Sequence, residues 1–209
     1  MKRYIRAAIV NPQDEDAWAR IQMAKTSRSL EIIEQCFNDE NYNVVAGLLC
    51  NPNTPDYMID TLLENPFYQD IAARSLETRP DIFNKLVRCP DRVRKTLVKN
   101  PKVPEDVLAR LWLSEDLRCE VSANYGISDE LLRKSVYEGD EYSKAGATQN
   151  PKITPELLAV LATDADQYVR CGVACNSKTP VDILKKLAKD PKDEVRYLAR
   201  TTLREIEQL

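Results

Sequence analysis

Residues 150–175, NPKITPELLAVLATDADQYVRCGVAC, carry two short apolar stripes separated by a polar turn. Leu157, Leu158, Leu161 and Ala162 take the i, i+1, i+4, i+5 spacing of a helix that buries one face, and Thr163-Asp164-Ala165-Asp166 closes it. A second short helix is predicted around Tyr168, Val169, Val173 and Ala174. Thr154 reads as an N-cap, Pro155 as the first helical residue, where its missing N–H costs nothing, and Glu156 as an acid set against the helix dipole. Asn176 is expected to end the second helix in the left-handed conformation common just past a helix terminus.

This pattern recurs. Asn100, Asn124, Asn150 and Asn176 open successive copies at intervals of 24, 26 and 26 residues, and Asn51 stands 49 residues before Asn100, about two periods. Residues 176–201 repeat the Thr179-Pro180 start, the Ile183-Leu184-Leu187-Ala188 stripe, the Asp190-Pro191 turn and the Val195 helix. Residues 100–123 keep Pro104, Glu105, Val107, Leu108 and Leu111; 124–149 put Asp129 after Ser128 in place of Pro and keep Leu131 and Leu132. Residues 51–75 hold Asn51-Pro52, Thr54-Pro55 and Leu62-Leu63, and the border between Arg74 and Pro80 aligns in two ways. Ser29 to Cys50 preserves Ile32, Ile33, Asp39, Val44 and Leu48 in register.

A unit of this size cannot bury its own apolar face, so neighbours must stack. The expected architecture is all-α, an α-solenoid of about seven short helix pairs in a single domain. Three segments are predicted: an N-terminal helical cap over residues 1–24, carrying Trp18, Ile21 and Met23 after Asn11-Pro12; the array over 25–201; and a C-terminal helical extension over 202–209. The terminal stripe Val195, Leu198, Ala199, Thr202, Leu203, Ile206 and Leu209 is expected to seal the last repeat, with homo-oligomerisation through it as the second reading.

Composition narrows the chemistry. The formal net charge of −3 does not advertise nucleic acid or anionic lipid as a partner. No stretch approaches the eighteen or so apolar residues of a membrane span, and the N-terminus MKRYIRAAIVNPQDED has no leader pattern, so no membrane partner and a cytoplasmic location are expected. The six cysteines fall in repeat register, Cys119 and Cys171 five residues before an opening Asn and Cys50 and Cys175 one before, as small packing residues do. With no histidine, no CxxC pair and five glycines in no phosphate-cradling arrangement, no metal, cofactor or catalytic residue is expected, and the chain reads as a non-enzyme.

The unit Asn-Pro-x-Thr-Pro-x-x-Leu-Leu-x-x-Leu-Ala-x-Asp, followed by Val-Arg and Val-Ala, resembles the variant leucine-rich repeat family, most closely over residues 150–201, and is also similar to HEAT-type repeats. The resemblance implies a right-handed superhelix of paired helices without β-sheet, the second helix short and often 3₁₀ in character. It further implies a protein-binding role and a bacterial or phage origin. The family's founding type is associated with an iron–sulfur cluster on N-terminal cysteines; here no Cys precedes Cys36, so that cluster is not carried over.

Six residues are the binding candidates. Arg94, Arg118, Lys144 and Arg170 stand six positions before the opening residues, with Arg196 one period on, and Tyr168 lies beside this column. A line of cations could grip an acidic protein surface or phosphates. The favoured reading of the column is ion pairs between repeats, with Asp164 and Asp190 six residues before Arg170 and Arg196, Glu138 six before Lys144, and Asp39 at the same place in the first unit. Tyr142 and Tyr168 both lie eight residues before an opening Asn, and Trp112 is expected in the core beside Leu111. The predicted function is a protein–protein interaction scaffold that binds an acidic partner on the short-helix face. The alternative is a nucleic-acid-binding, DNA-glycosylase-like protein using the cations on phosphates.

Overall fold

The computed structural model describes residues 15–208; Asn11-Pro12 and Leu209 lie outside them. The described residues form fifteen α-helices and one 3₁₀ turn, with no strand among them. They group into two compact units, the first ending at Asn100 and the second beginning at Pro101.

The first unit contains α1 (Glu15–Thr26), α2 (Leu30–Phe37), α3 (Tyr42–Gly47), α4 (Asp56–Leu63), α5 (Pro66–Arg74), α6 (Pro80–Leu86) and α7 (Asp91–Leu97). The second contains α8 (Glu105–Leu111), the 3₁₀ turn Glu115–Leu117, α9 (Arg118–Ala123), α10 (Asp129–Tyr137), α11 (Glu141–Thr148), α12 (Pro155–Leu161), α13 (Gln167–Cys175), α14 (Val181–Leu187) and α15 (Asp193–Glu207). Most of these helices are shorter than a free helix needs to be stable in water, so packing must hold them. Within the first unit α1 packs on α3 and α5 on α7; within the second α9 packs on α11, α11 on α13 and α13 on α15. Second helices therefore lie side by side. Ile33, Leu48, Ile59, Phe83 and Leu97 fill the core of the first unit, and Leu108, Leu117, Leu132, Leu158, Val173 and Leu184 that of the second. The 3₁₀ character expected of the second helices is confined to Glu115–Leu117.

The opening asparagines tie each helix pair to the one before. Asn51 Nδ2 donates to the carbonyl oxygens of Ala24 (2.8 Å) and Ser27 (2.9 Å), and Asn100 Nδ2 to those of Ala73 (2.9 Å) and Ser75 (2.8 Å). In the second unit Asn150 Nδ2 donates to Ser122 (2.8 Å) and Asn124 (2.9 Å), and Asn176 Nδ2 to Thr148 (2.7 Å). These carbonyls lie at or just past the end of the preceding second helix, where a helix leaves acceptors without an internal partner. The Oδ1 of the same side chain accepts the backbone N–H two residues on: Asn53 for Asn51, Lys152 for Asn150, Lys178 for Asn176. Asn176 thus has φ −84° and ψ 121°, an extended backbone, and no non-glycine residue among those described has positive φ. The expected left-handed stop is replaced by a side-chain tie.

Two other expectations shift register. Thr154 does cap α12, its hydroxyl accepting from Leu157 N–H, but Thr179 is buried and donates to Val173 O (2.7 Å). Thr179 stands three residues after its Asn, where Ile153 and Ile127 put apolar side chains, and Pro180 takes the cap position. Thr54 and Thr78 make the same bond, to Leu48 O and Ala72 O (2.9 Å each). This identifies Ser75 as the opening residue hidden between Arg74 and Pro80: its hydroxyl accepts from Glu77 N–H, as Asn51 does from Asn53. Ser27 does likewise for Ser29, and Thr202 Oγ1 donates back to Ala174 O (2.7 Å).

Of the expected N-terminal cap, the described residues from Glu15 onward belong to α1, which is placed like a second helix: it packs on α3, and Arg20 pairs with Asp39 (2.9 Å). The C-terminal stripe continues α15, which packs on α13 and α14 through buried Val195, Ala199 and Thr202. In the second unit glycine allows close approach. A Cβ on Gly146 would overlap the Cys119 carbonyl, and one on Gly172 the Thr148 hydroxyl.

Replacing Asn150 by Ala leaves two buried carbonyls without donors and should cost about 2–4 kcal/mol in urea unfolding. Gly146→Ala, which forces α9 and α11 apart at a backbone atom, should cost about 1–3 kcal/mol in the same measurement.

Candidate binding face

The predicted cations lie on second helices, but each has an internal partner. Arg118 pairs with Asp140 (2.6 Å), Lys144 with Asp164 (2.8 Å) and Arg170 with Asp190 through two bonds (2.7 and 3.1 Å). Each pair joins one helix pair to the next, so the inter-repeat bridges considered from spacing are present. For Arg118 the acid is Asp140, the N-cap of α11, rather than Glu138. The guanidiniums also bind backward: Arg118 Nε to Trp112 O (3.2 Å), Arg170 Nη1 to Asp164 O (2.8 Å) and Arg196 Nη1 to Asp190 O (2.6 Å). These bonds satisfy carbonyls in the turn that follows a first helix, which an Arg fork reaches readily. Arg196 further contacts Asp193, and Arg94, in the first unit, pairs with Asp91 of its own helix.

The Arg170–Asp190 pair is the most enclosed, with side chains 11% and 6% exposed. Arg170 beside Asp190 holds that carboxyl below its ordinary range. Burial opposes ionisation of Asp140, but the Ser143 N–H and Arg118 outweigh it; for Asp164 burial is likewise outweighed, by Lys144 and the Asp166 N–H. All three titrate low. Beneath this layer Trp112 is buried, as expected, and its Nε1 donates to Ser135 Oγ (3.1 Å).

Tyr168 is different: it is 65% exposed, as Tyr142 is at 60% and Tyr197 at 68%. Once the openings are registered as Asn124, Asn150, Asn176 and Thr202, the outward face of α9, α11, α13 and α15 resolves into columns. Eight residues before each opening stand Asp116, Tyr142, Tyr168 and Glu194; five before, Cys119, Ala145, Cys171 and Tyr197. With the columns four and one before, these make the i, i+3, i+4, i+7 stripe of a single helix face. Two open grooves run along it. One, of about 390 Å³, is lined by Glu115, Asp116, Cys119, Glu120 and Tyr142. The other, of about 570 Å³, has Tyr168 at its edge and Ala145, Cys171, Gly172 and Cys175 along it.

The thiols there are poor nucleophiles. Burial, together with Glu194, pushes Cys171 up to about 11, and burial with Glu205 and Glu194 raises Cys175. Among the described residues no group of three or more acidic, Cys or His side chains could hold a metal, and no helix is long and apolar enough to cross a membrane. Comparison with protein-family models, curated proteins and solved structures gives no match.

Replacing Arg170 by Gln leaves the Asp190 carboxylate enclosed without its cation and should cost about 2–4 kcal/mol at pH 7. Because Asp190 titrates below its unfolded value, its contribution is complete above about pH 5 and fades as pH falls through about 4 and below. Urea midpoints from pH 5 to 3 should therefore fall more steeply for the wild type than for Arg170→Gln.

Proposed function

We propose that the chain is a non-catalytic interaction scaffold, a right-handed α-solenoid of about seven helix pairs in the manner of variant leucine-rich and HEAT-type repeats. It holds a protein partner on the face of its second helices. The observation that carries this is the pair of tyrosines at one repeat position, Tyr142 and Tyr168, exposed beside open grooves on adjacent helices. Tyrosine supplies contact area at low entropy cost and is enriched where proteins meet. Helices anchored from within by Asn ties and ion pairs present such a face preformed, so binding requires little rearrangement.

The cations Arg118, Lys144, Arg170 and Arg196 enter this proposal as supports of the face. Each holds an internal carboxylate or carbonyl, so gripping phosphates would require breaking those bonds. That weighs against the nucleic-acid alternative.

Capture from an extract of the source cells, with bound proteins identified by mass spectrometry, tests the assignment. A partner held by the wild type should be lost from Tyr142→Ala/Tyr168→Ala and kept by Lys185→Ala/Lys186→Ala on α14. Loss with the α14 variant and retention with the tyrosine variant would move the interface elsewhere.

A further inference from the structure

The charge around the grooves opposes the acidic partner expected from the cation column. Glu115, Asp116 and Glu120 line the first groove. Beside the second, Glu194 and Glu205 lie close enough to Cys175 to raise its thiol. No Lys or Arg lines either groove. On α9, α11 and α13 the cations sit lower, whereas Arg200 and Arg204 of α15 are exposed outside both grooves: Arg118, Lys144 and Arg170 have side chains 22%, 25% and 11% exposed and pair with Asp140, Asp164 and Asp190. Beyond the face, the chain's whole net charge of −3 falls in residues 101–209. The surface thus offers carboxylates and tyrosine rings over a floor of small residues.

We propose that this face of α9, α11, α13 and α15 takes a Lys- and Arg-rich segment of a protein partner, its cations on Asp116, Glu120, Glu194 and Glu205 and its alkyl stems on Tyr142 and Tyr168. The inference rests on the second-helix face being the interface and names the chemistry it selects. Tyrosine and carboxylate suit a cationic side chain together: the ring attracts the cation through its π-face and covers the methylene stem, while the carboxylate meets the head group. The small side chains Ala145 and Gly172 leave room for the segment to lie between the tyrosines. Neighbouring helices pack about 8–10 Å apart, so crossing four takes about 24–30 Å, or about seven to nine extended residues. A long-range field of one sign also speeds encounter with a cationic partner and makes it sensitive to salt.

The test is fluorescence anisotropy with a labelled twelve-residue peptide of Arg, Leu, Lys and Ser and a counterpart with Glu at every cationic position. The wild type should bind the cationic peptide saturably, at least fivefold more weakly at 300 mM than at 50 mM salt, and the acidic one at least tenfold more weakly. Asp116→Asn/Glu194→Gln and Tyr142→Ser/Tyr168→Ser should each weaken binding about tenfold with unchanged circular dichroism, while Lys185→Ser on α14 leaves it alone. Preference for the acidic peptide, binding of neither, or indifference to both double variants would overturn the proposal. If captured partners still depend on Tyr142 and Tyr168, only the charge assignment falls; if they do not, the interface itself is misplaced.

Discussion

The interaction on which the rest depends is the asparagine side chain that opens a helix pair. Helices of six to nine residues end with carbonyls that nothing inside the helix can satisfy, and they are too short to survive by themselves. Asn51, Asn100 and Asn150 each donate to two such carbonyls of the preceding pair, and the oxygens of Asn51 and Asn150 also fix the loop that leads into the next helix. One buried side chain therefore sets both the distance between neighbours and the direction in which the chain leaves. Ser27 and Ser75 show the accepting half of this function and Thr202 the donating half, each with one hydroxyl oxygen where asparagine has a separate donor and acceptor.

Charge is organised around the same repeat. Arg118, Lys144 and Arg170 reach forward to an acid of the next pair, so their positive charge is neutralised below the surface. What lines the outward grooves of the second unit is aromatic, acidic and small. An interface built there is decided by the residues standing eight and five before each opening, and the cations act by holding the helices that carry them.

Much of this was legible from residue spacing. Apolar stripes and prolines locate α12 and α14 correctly, and the column of cations is visible as a column. Its inward direction is not, because sequence spacing does not say whether an arginine meets a carboxylate of its neighbour or of a partner. Thr179 misleads because the Thr-Pro pair sits one residue earlier relative to its Asn than Thr154-Pro155 does. A hydroxyl and a β-branched carbon suit both a cap and a buried position. Ser75 hides because it shares only one of the two hydrogen-bonding functions by which the other openings are recognised; Thr78 and Pro80, three and five residues on, are the signal that finds it. The acids of the face escape notice for a related reason: Asp116 and Glu194 occupy the column that Tyr142 and Tyr168 define, but differ from them in kind.

The central claim concerns the asparagine amides, and side-chain NH₂ hydrogen exchange followed by ¹⁵N NMR reads them directly. Asn51, Asn100 and Asn150, each buried and donating to two carbonyls, should show side-chain amide protons protected from exchange until the surrounding helices open. Exchange of these three groups at the rate of exposed asparagines would contradict the account.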